Sequence, residues 1–411
     1  MEIPERIPFA DLVTPHLELQ HELLAVFRAV LRTGTFIGGL MVEDFEREFA
    51  RYCGTRYCIG VSSGSDALRL ALTAAGVRPG DIVLTAPNTF AATIEAISHS
   101  GAPDFVDVDE RTYSLDWVKL EQHLETRCYV DPVSGKLLDR KTQRPVTAVV
   151  PVHLYGQTAD MDPILEISER YHLIVVEDAC QAHGAEYFSE KQNRWRKAGS
   201  MSRAAAFSFH PGANLGACGH AGAITTDDGE LAQEVRRLRD RNQTGQYDHA
   251  FEGCNARLDA IQAGILQVKL SHLTDWNKKR RENAFCYHGL LTPVVDRITI
   301  PYEPSWARAT YHSYVIRTHN RDELQSYLRA ARIPTKIHYP ALLHLQEAHR
   351  PLGYKVGDFP VAEGIASEML SLPIYPQLGF DQQYRVARGI VNFVEQASAN
   401  KVSVSPSASI S

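Results

Sequence analysis

Several short stretches of this chain carry side chains whose type and placement suit ligand chemistry. Leu173-Ile-Val-Val-Glu-Asp178 is an apolar run that ends in an acid, and Gln181 follows three residues later. Ligands collect at the carboxyl ends of parallel strands. A carboxylate there can hold a nitrogen heterocycle in its protonated form through a charge-assisted pair, and Gln181 can donate to an oxygen on the same ring. In Val61-Ser-Ser-Gly64-Ser65-Asp66, Gly64 permits a tight turn, and free N–H groups at a helix start can receive a phosphate. Ser208 closes the run Ala206-Phe-Ser, and Phe90, after Ala86-Pro-Asn-Thr, can lie flat on an aromatic ring. Each also has an ordinary structural use. Ser-Gly-Ser-Asp caps helices, Asp178 can cap the helix after it, Gln181 can be a solvated side chain, and a lone Phe or Ser after a strand belongs to a core or a strand end. Only the conjunction is informative.

The elements that must position these residues read as α/β. Apolar runs at Tyr57–Ser62, Ile82–Thr85, Phe105–Val108, Ala148–His153 and Leu173–Val176 alternate with helical patterns such as Asp66–Ala75 and Pro163–Tyr171. Such alternation predicts a mostly parallel sheet covered on both faces. Past residue 260 the pattern changes. A long helix with apolar spacing near 3.6 starts at Asp259 and leads into a charged face, Trp276–Glu282. A smaller α+β region follows, with a strand at Ser313–Arg317, a helix near Asp322–Ala331 and the segment Thr335–Pro340. The expected division is a large domain over 1–270, a small C-terminal α+β domain over 271–396, and a Ser-rich disordered tail over 397–411. Tyr129–Arg140, with Pro-Val-Ser-Gly at its centre, reads as an inserted surface hairpin.

Bulk properties narrow the class. A chain of 411 residues exceeds what one core usually holds. With 44% hydrophobic and 22% charged residues it is an ordinary globular composition. A net charge of −6 argues against nucleic acid as the main partner. No run reaches the roughly 18 apolar residues of a membrane span, and Met-Glu-Ile-Pro-Glu-Arg does not read as a signal peptide. The seven cysteines are scattered, without metal-ligand spacing, and fit reduced thiols. The expectation is a cytoplasmic protein with no membrane, nucleic-acid or metal partner.

In order along the chain, Phe36-Ile-Gly-Gly, Ser63-Gly-Ser-Asp-Ala-Leu, Pro151-Val-His-Leu-Tyr-Gly-Gln, Glu177-Asp-Ala-Cys-Gln-Ala-His-Gly, Phe207-Ser-Phe-His-Pro-Gly, Gly253-Cys-Asn-Ala-Arg-Leu-Asp, Lys336-Ile-His-Tyr-Pro and Ser371-Leu-Pro-Ile-Tyr-Pro appear together. This set resembles the landmarks of the DegT/DnrJ/EryC1/StrS sugar aminotransferases. The resemblance implies pyridoxal-phosphate (PLP) transferase fold type I and amino transfer from glutamate or glutamine to a 3-keto or 4-keto hexose linked to a nucleotide. It implies PLP, pyridoxamine phosphate or an external aldimine with an aminosugar as the bound species, in a homodimer with shared active sites. By carry-over Gly64, Ser65, Asp66 and Ser208 hold the phosphate, Phe90 stacks on the ring, Asp178 pairs with the ring nitrogen and Gln181 meets the phenolic oxygen. Asn255 reaches the phosphate in the neighbouring subunit, and His338 and Tyr339 lie near the sugar-nucleotide site.

The departures concern the chemistry itself. Where the family carries its Schiff-base lysine this chain has Ala213, which has no amine. His220 stands where an acid is usual, and Arg241-Asn242 where His-Gly is common. Transamination needs that lysine both as the covalent partner and as the base that moves a proton. Three readings follow. Ala213 replaces a lysine and leaves the enzyme inactive or trapped; the chain runs a lysine-free PLP reaction such as a sugar dehydration, with His210 or His220 as base; or it is a non-catalytic PLP-binding or partner homologue.

Overall fold

The computed structural model describes residues 7–240 and 254–403, with side chains to residue 396. Arg241 and Asn242 lie outside the described residues. A seven-stranded sheet occupies the centre, in the order Tyr57–Val61, Gly222–Thr226, Ala204–Ser208, Ile174–Asp178, Val146–Val150, Ile82–Thr85 and Ala102–Phe105. All neighbours are parallel except Gly222–Thr226, which runs antiparallel to both of its partners. The central strands are almost wholly buried, which is why they read as continuous apolar runs rather than alternating ones.

One expected strand is displaced. The apolar run Phe105–Val108 begins where the strand Ala102–Phe105 ends, because Ala102, Pro103 and Asp104 pair with Ile82, Val83 and Leu84. Pro103 has no N–H to offer a second neighbour, and it sits on the strand at the sheet edge. The hairpin is present as Cys128–Val130 paired with Leu137–Asp139.

The sheet is packed by two clusters. Leu68, Leu72, Ile94, Ile97, Ile164 and Ile167 belong to the larger one. In the other, Phe45 and Phe49 of the helix Leu40–Cys53 meet Phe207 and Phe209 from the sheet, with Phe49 set edge-on to them at 5.0 and 5.1 Å. Each such buried ring is worth about 1.5–3 kcal/mol, so the end of the strand Ala204–Ser208 is firmly fixed.

The helix Ala260–Leu291 is continuous over 32 residues and passes straight through the expected boundary at 270. Leu266, Leu270 and Leu273 belong to the large-domain core, and Ala284, Tyr287 and Leu291 to the smaller one. The charged segment Trp276–Glu282 is therefore not uniformly solvent-facing: Trp276, Asn277 and Arg280 are buried. Leu343, Phe359, Ala362 and Ile365 also return to the large core. The helix Phe380–Ser403 continues into the Ser-rich stretch, so residues 397–403 prolong a helix rather than begin a tail; residues 404–411 lie outside the description.

Candidate active site

Asp178 ends its strand 5% exposed. Its Oδ2 accepts from Thr93 Oγ1 at 2.7 Å and its Oδ1 from the Cys180 N–H at 3.2 Å. Because the Thr93 hydroxyl donates to the carboxylate, the 2.9 Å contact between Thr89 and Thr93 must have Thr89 as donor. A relay of two hydroxyls, Thr89 just before the helix Ala91–Ser100 and Thr93 in its first turn, thus aims the carboxylate. Among the described residues no lysine, arginine or histidine pairs with it. A buried carboxylate without a cation is costly to leave so.

One residue back, Glu177 faces the opposite way and is saturated. It accepts from the N–H groups of Gly199 (2.7 Å), Met201 (2.9 Å) and Ser202 (2.9 Å), and from Ser202 Oγ at 3.0 Å. His153 adds a fifth bond at 2.9 Å. His153 Nδ1 accepts from the Ala159 N–H, so its proton is on Nε2, facing Glu177. Burial raises the Glu177 pKa, but these donors, His153 first, outweigh it and hold the group below its ordinary 4.5.

The expected phosphate cradle lies where the strand Tyr57–Val61 gives way to the helix Gly64–Ala75. Ser63 caps that helix by accepting from the Asp66 N–H at 3.1 Å. The first-turn N–H groups of Gly64 and Ser65 have no intrahelical acceptor. A side chain at Gly64 would stand 2.6 Å from Ser208 Cβ and 3.2 Å from Cys180 Sγ, so only glycine lets these three strands' ends converge. Asp66 has a different job from the one expected. Its carboxylate takes the Ser62 hydroxyl, Ser63 Oγ at 3.2 Å and Arg69 Nη2 at 2.6 Å. Burial alone would raise its pKa, yet Ser62 and Arg69 pull it below the ordinary range. Asp66 thus shapes the turn, and its carboxylate offers an anion no donor.

Gln181 is held from both ends. Its Oε1 accepts from the Tyr155 N–H at 2.8 Å, and its Nε2 donates to the Tyr339 hydroxyl at 2.9 Å. Burial pushes the Tyr339 pKa up to about 12, so the phenol stays protonated. Tyr339 also lies 5.5 Å from the Phe90 ring, which is 55% exposed. His338 Nδ1 is 2.8 Å from Ser371 Oγ, and burial with Lys336 nearby pushes its pKa down to about 4. Tyr339 therefore draws Phe90 and Gln181 together, with the His338 ring 5.6 Å from its own.

Ala213 follows a tight turn, with its N–H on the His210 carbonyl at 2.8 Å. His210 and His220 are exposed, their rings 6.4 Å apart, and His210 Nδ1 accepts from the Gly212 N–H. Asn255 is also exposed, bonded by Arg257 Nε at 3.2 Å. The residue after it accepts from the Ser62 N–H at 3.0 Å, which brings this segment beside the cradle of its own chain.

The sequence matches the model of the DegT/DnrJ/EryC1/StrS aminotransferase family over residues 18–391. The chain belongs to this family. Its relatives include the erythromycin biosynthesis sensory transduction protein EryC1 of Saccharopolyspora erythraea, 43% identical over 373 residues, covering 90% of this chain and 95% of the relative. The dTDP-3-amino-3,4,6-trideoxy-alpha-D-glucose transaminase of Streptomyces venezuelae is 40% identical over 392 residues, covering 95% and 97%. Among solved structures, S. venezuelae DesV in complex with a ketimine intermediate superposes with a TM-score of 0.87 at 39% identity, covering 95% of this chain and 99% of that one. Bacillus subtilis NtdA with bound cofactor PMP does so at 0.82 and 29%, covering 96% and 86%.

In this DegT/DnrJ/EryC1/StrS scaffold, sequence reasoning passed over Thr93 and Tyr155. Thr93 lies 85 positions from the acid it orients, and no local pattern marks it. The pair His153 and Glu177 sits inside quoted motifs but was not singled out. Among the described residues no group of His, Cys, Asp and Glu is arranged to hold a metal ion, and no helix is long and apolar enough to cross a membrane.

Proposed function

We propose that this chain binds PLP in a sugar-nucleotide aminotransferase site that Ala213 has deprived of its covalent anchor. The observation that carries the reading is Asp178, a buried carboxylate with no basic partner among the described residues, aimed by Thr93 into the space shared by Phe90, Gln181 and Ser208. A protonated pyridine nitrogen is the cation that fits it. Gly64 and Ser65 N–H groups with Ser208 Oγ would take the phosphate, Phe90 would cover one ring face, and the remaining Gln181 N–H would meet the phenolic oxygen. When bound, PLP supplies an aldehyde that condenses with amines and a ring that withdraws electrons from them. The substrates are then an amino donor such as glutamate or glutamine and a keto-sugar linked to a nucleotide, in line with the transaminases this chain resembles.

Residue 213 can neither bond the cofactor nor move a proton. Exposed His210 and His220 do not replace it. The chain therefore retains the cofactor non-covalently and is inactive or trapped as a transaminase.

A homodimer with Asn255 directed at the partner's phosphate completes the reading. Supporting it, Leu24, Phe27 and Leu31 form an exposed stripe, 44%, 47% and 57% accessible, on the helix Gln20–Thr33. Sedimentation showing only monomer would remove this part.

The test is Ala213→Lys. Borohydride reduction of the PLP-loaded variant, followed by peptide mass mapping, should find the cofactor mass on the introduced lysine and nowhere in the parent. An unmodified lysine in a PLP-loaded protein would refute the assignment of position 213.

A further inference from the structure

Two polar groups near Ala213 are unused by the cofactor cradle. Arg280, 7% exposed, donates through Nη1 to the carbonyls of Tyr311 and Ile374, each at 3.2 Å. Among the described residues no carboxylate pairs with it. Its Nε and Nη2 make no hydrogen bond there, yet neither is sealed from solvent. Burial pushes its pKa down to about 10, so it remains a cation at neutral pH. A buried cation with no counter-charge is expensive.

His312 has its tautomer dictated by two carbonyls. The His183 carbonyl can only accept, so Asn277 gives it Nδ2, at 2.7 Å, and turns Oδ1 away. That oxygen takes Asn214 Nδ2 at 3.0 Å, which also donates to the Thr310 carbonyl at 3.3 Å. Asn214 Oδ1 is thereby left facing His312 Nδ1 at 3.2 Å and must be met by an N–H. Nε2 remains a lone pair, with no partner among the described residues and open to solvent. Burial first, then the charge of Arg280, holds the imidazole well below its ordinary pKa, so the lone pair persists at neutral pH.

The two groups flank one peptide. Arg280 is bonded to the carbonyl of Tyr311, and His312 is the next residue. His312 is tied to Asn214, the neighbour of Ala213, and the Ser313 N–H to the carbonyl of Tyr155, whose own N–H is on Gln181. The Arg280 guanidinium and the His312 ring are thus joined through the Tyr311–His312 peptide, the one without an anion and the other with Nε2 unpartnered among the described residues. A phosphate fits this badly, because its oxygens would face the Nε2 lone pair. An α-amino acid fits well, since it carries a carboxylate and an ammonium on one carbon.

We propose that Arg280 and His312 together recognise the α-amino acid end of the amino donor, the guanidinium taking the carboxylate and Nε2 accepting from the ammonium. The inference rests on the aminotransferase reading above and adds to it the place where the donor is held.

L-glutamate and glutarate, which lacks the amine, are titrated into the full chain, with affinities read by NMR and the His312 ring nitrogens followed by 15N shifts. Glutamate should bind more tightly than glutarate and move the Nε2 resonance. Arg280→Gln should weaken both ligands ten- to hundredfold, the effect of a charged hydrogen bond. His312→Leu should abolish the preference for glutamate while leaving glutarate affinity unchanged. Equal affinities in parent and Arg280→Gln overturn the proposal. So does an Nε2 signal that is protonated or unmoved at saturating glutamate, a reading that needs no variant to fold. PLP affinity is measured separately by absorbance: its failure with glutamate binding intact counts against the cofactor reading, and the converse counts against this pair.

Discussion

The strands Ile174–Asp178 and Ala204–Ser208 are parallel neighbours, and both deliver their last residue to the same space. At the end of the first, Asp178 is oriented by Thr93 and Cys180, and Glu177 behind it binds the loop Gly199–Ser202 through the N–H groups of Gly199, Met201 and Ser202. At the end of the second, the chain passes through Pro211 and Gly212 to a methyl group at Ala213, with two exposed histidines nearby. On the function proposed above, the first strand end serves recognition and the second would carry the reactive group, so binding and reactivity would be supplied by different strand ends and one could be lost without the other.

The sharpest way to break this contrast is to restore the reactive side and damage the recognition side. In the Ala213→Lys background, Asp178→Asn should slow the half-reaction with glutamate about a hundred- to a thousandfold, the scale of losing one preorganised electrostatic contact. Stopped-flow absorbance of the cofactor band measures it. An unchanged rate would take Asp178 out of the site.

Next in size is the support behind Asp178. Glu177→Ala leaves His153 and the loop N–H groups without their acceptor, and should cost about 3–5 kcal/mol in urea unfolding, as for a broken buried pair. In the parent, acid should remove the same contribution by protonating Glu177. The folded pKa of Glu177 lies below its ordinary 4.5. Its contribution is therefore fully present above that ordinary value and is lost as pH falls through the lower folded value. Acid unfolding of Glu177→Ala should show a shallower loss below pH about 4.5. A parallel slope would mean the group is not depressed.

The smallest effect concerns the cradle. Ser63→Ala removes the cap on the Asp66 N–H and should cost about 1 kcal/mol in thermal unfolding. Because the assigned phosphate donors are the Gly64 and Ser65 N–H groups and Ser208, PLP affinity should fall by less than it does in Ser208→Ala. The reverse order would move the phosphate off this turn.

The features legible in the sequence were those with a local signature. An apolar run ending in Asp178, the Ser-Gly-Ser-Asp turn and the Pro-Val-Ser-Gly hairpin each announce themselves within ten residues, and each is found where expected. What escaped notice depends on partners far away in sequence. Asp66 looks like a ligand until Ser62 and Arg69 are seen occupying it. Arg280 stands in the charged stretch Asn-Lys-Lys-Arg-Arg-Glu, and nothing in that run says which arginine turns inward; packing against Tyr311 and Ile374 decides it. The end of the last helix was misjudged because serine composition outweighed continuation of the turn.

The loop that carries Ala213 is fastened without any help from the Ala213 side chain. The Asn214 side chain, the Gly216 carbonyl on Lys269 Nζ at 2.7 Å and the Ala217 N–H on Phe209 at 2.9 Å hold its course. Position 213 is consequently expected to be a mutational free port: exchanging its alanine for lysine or histidine should change thermal stability little. On the function proposed above, a lineage could lose, regain or redirect its chemistry at that single codon while selection on stability took no notice.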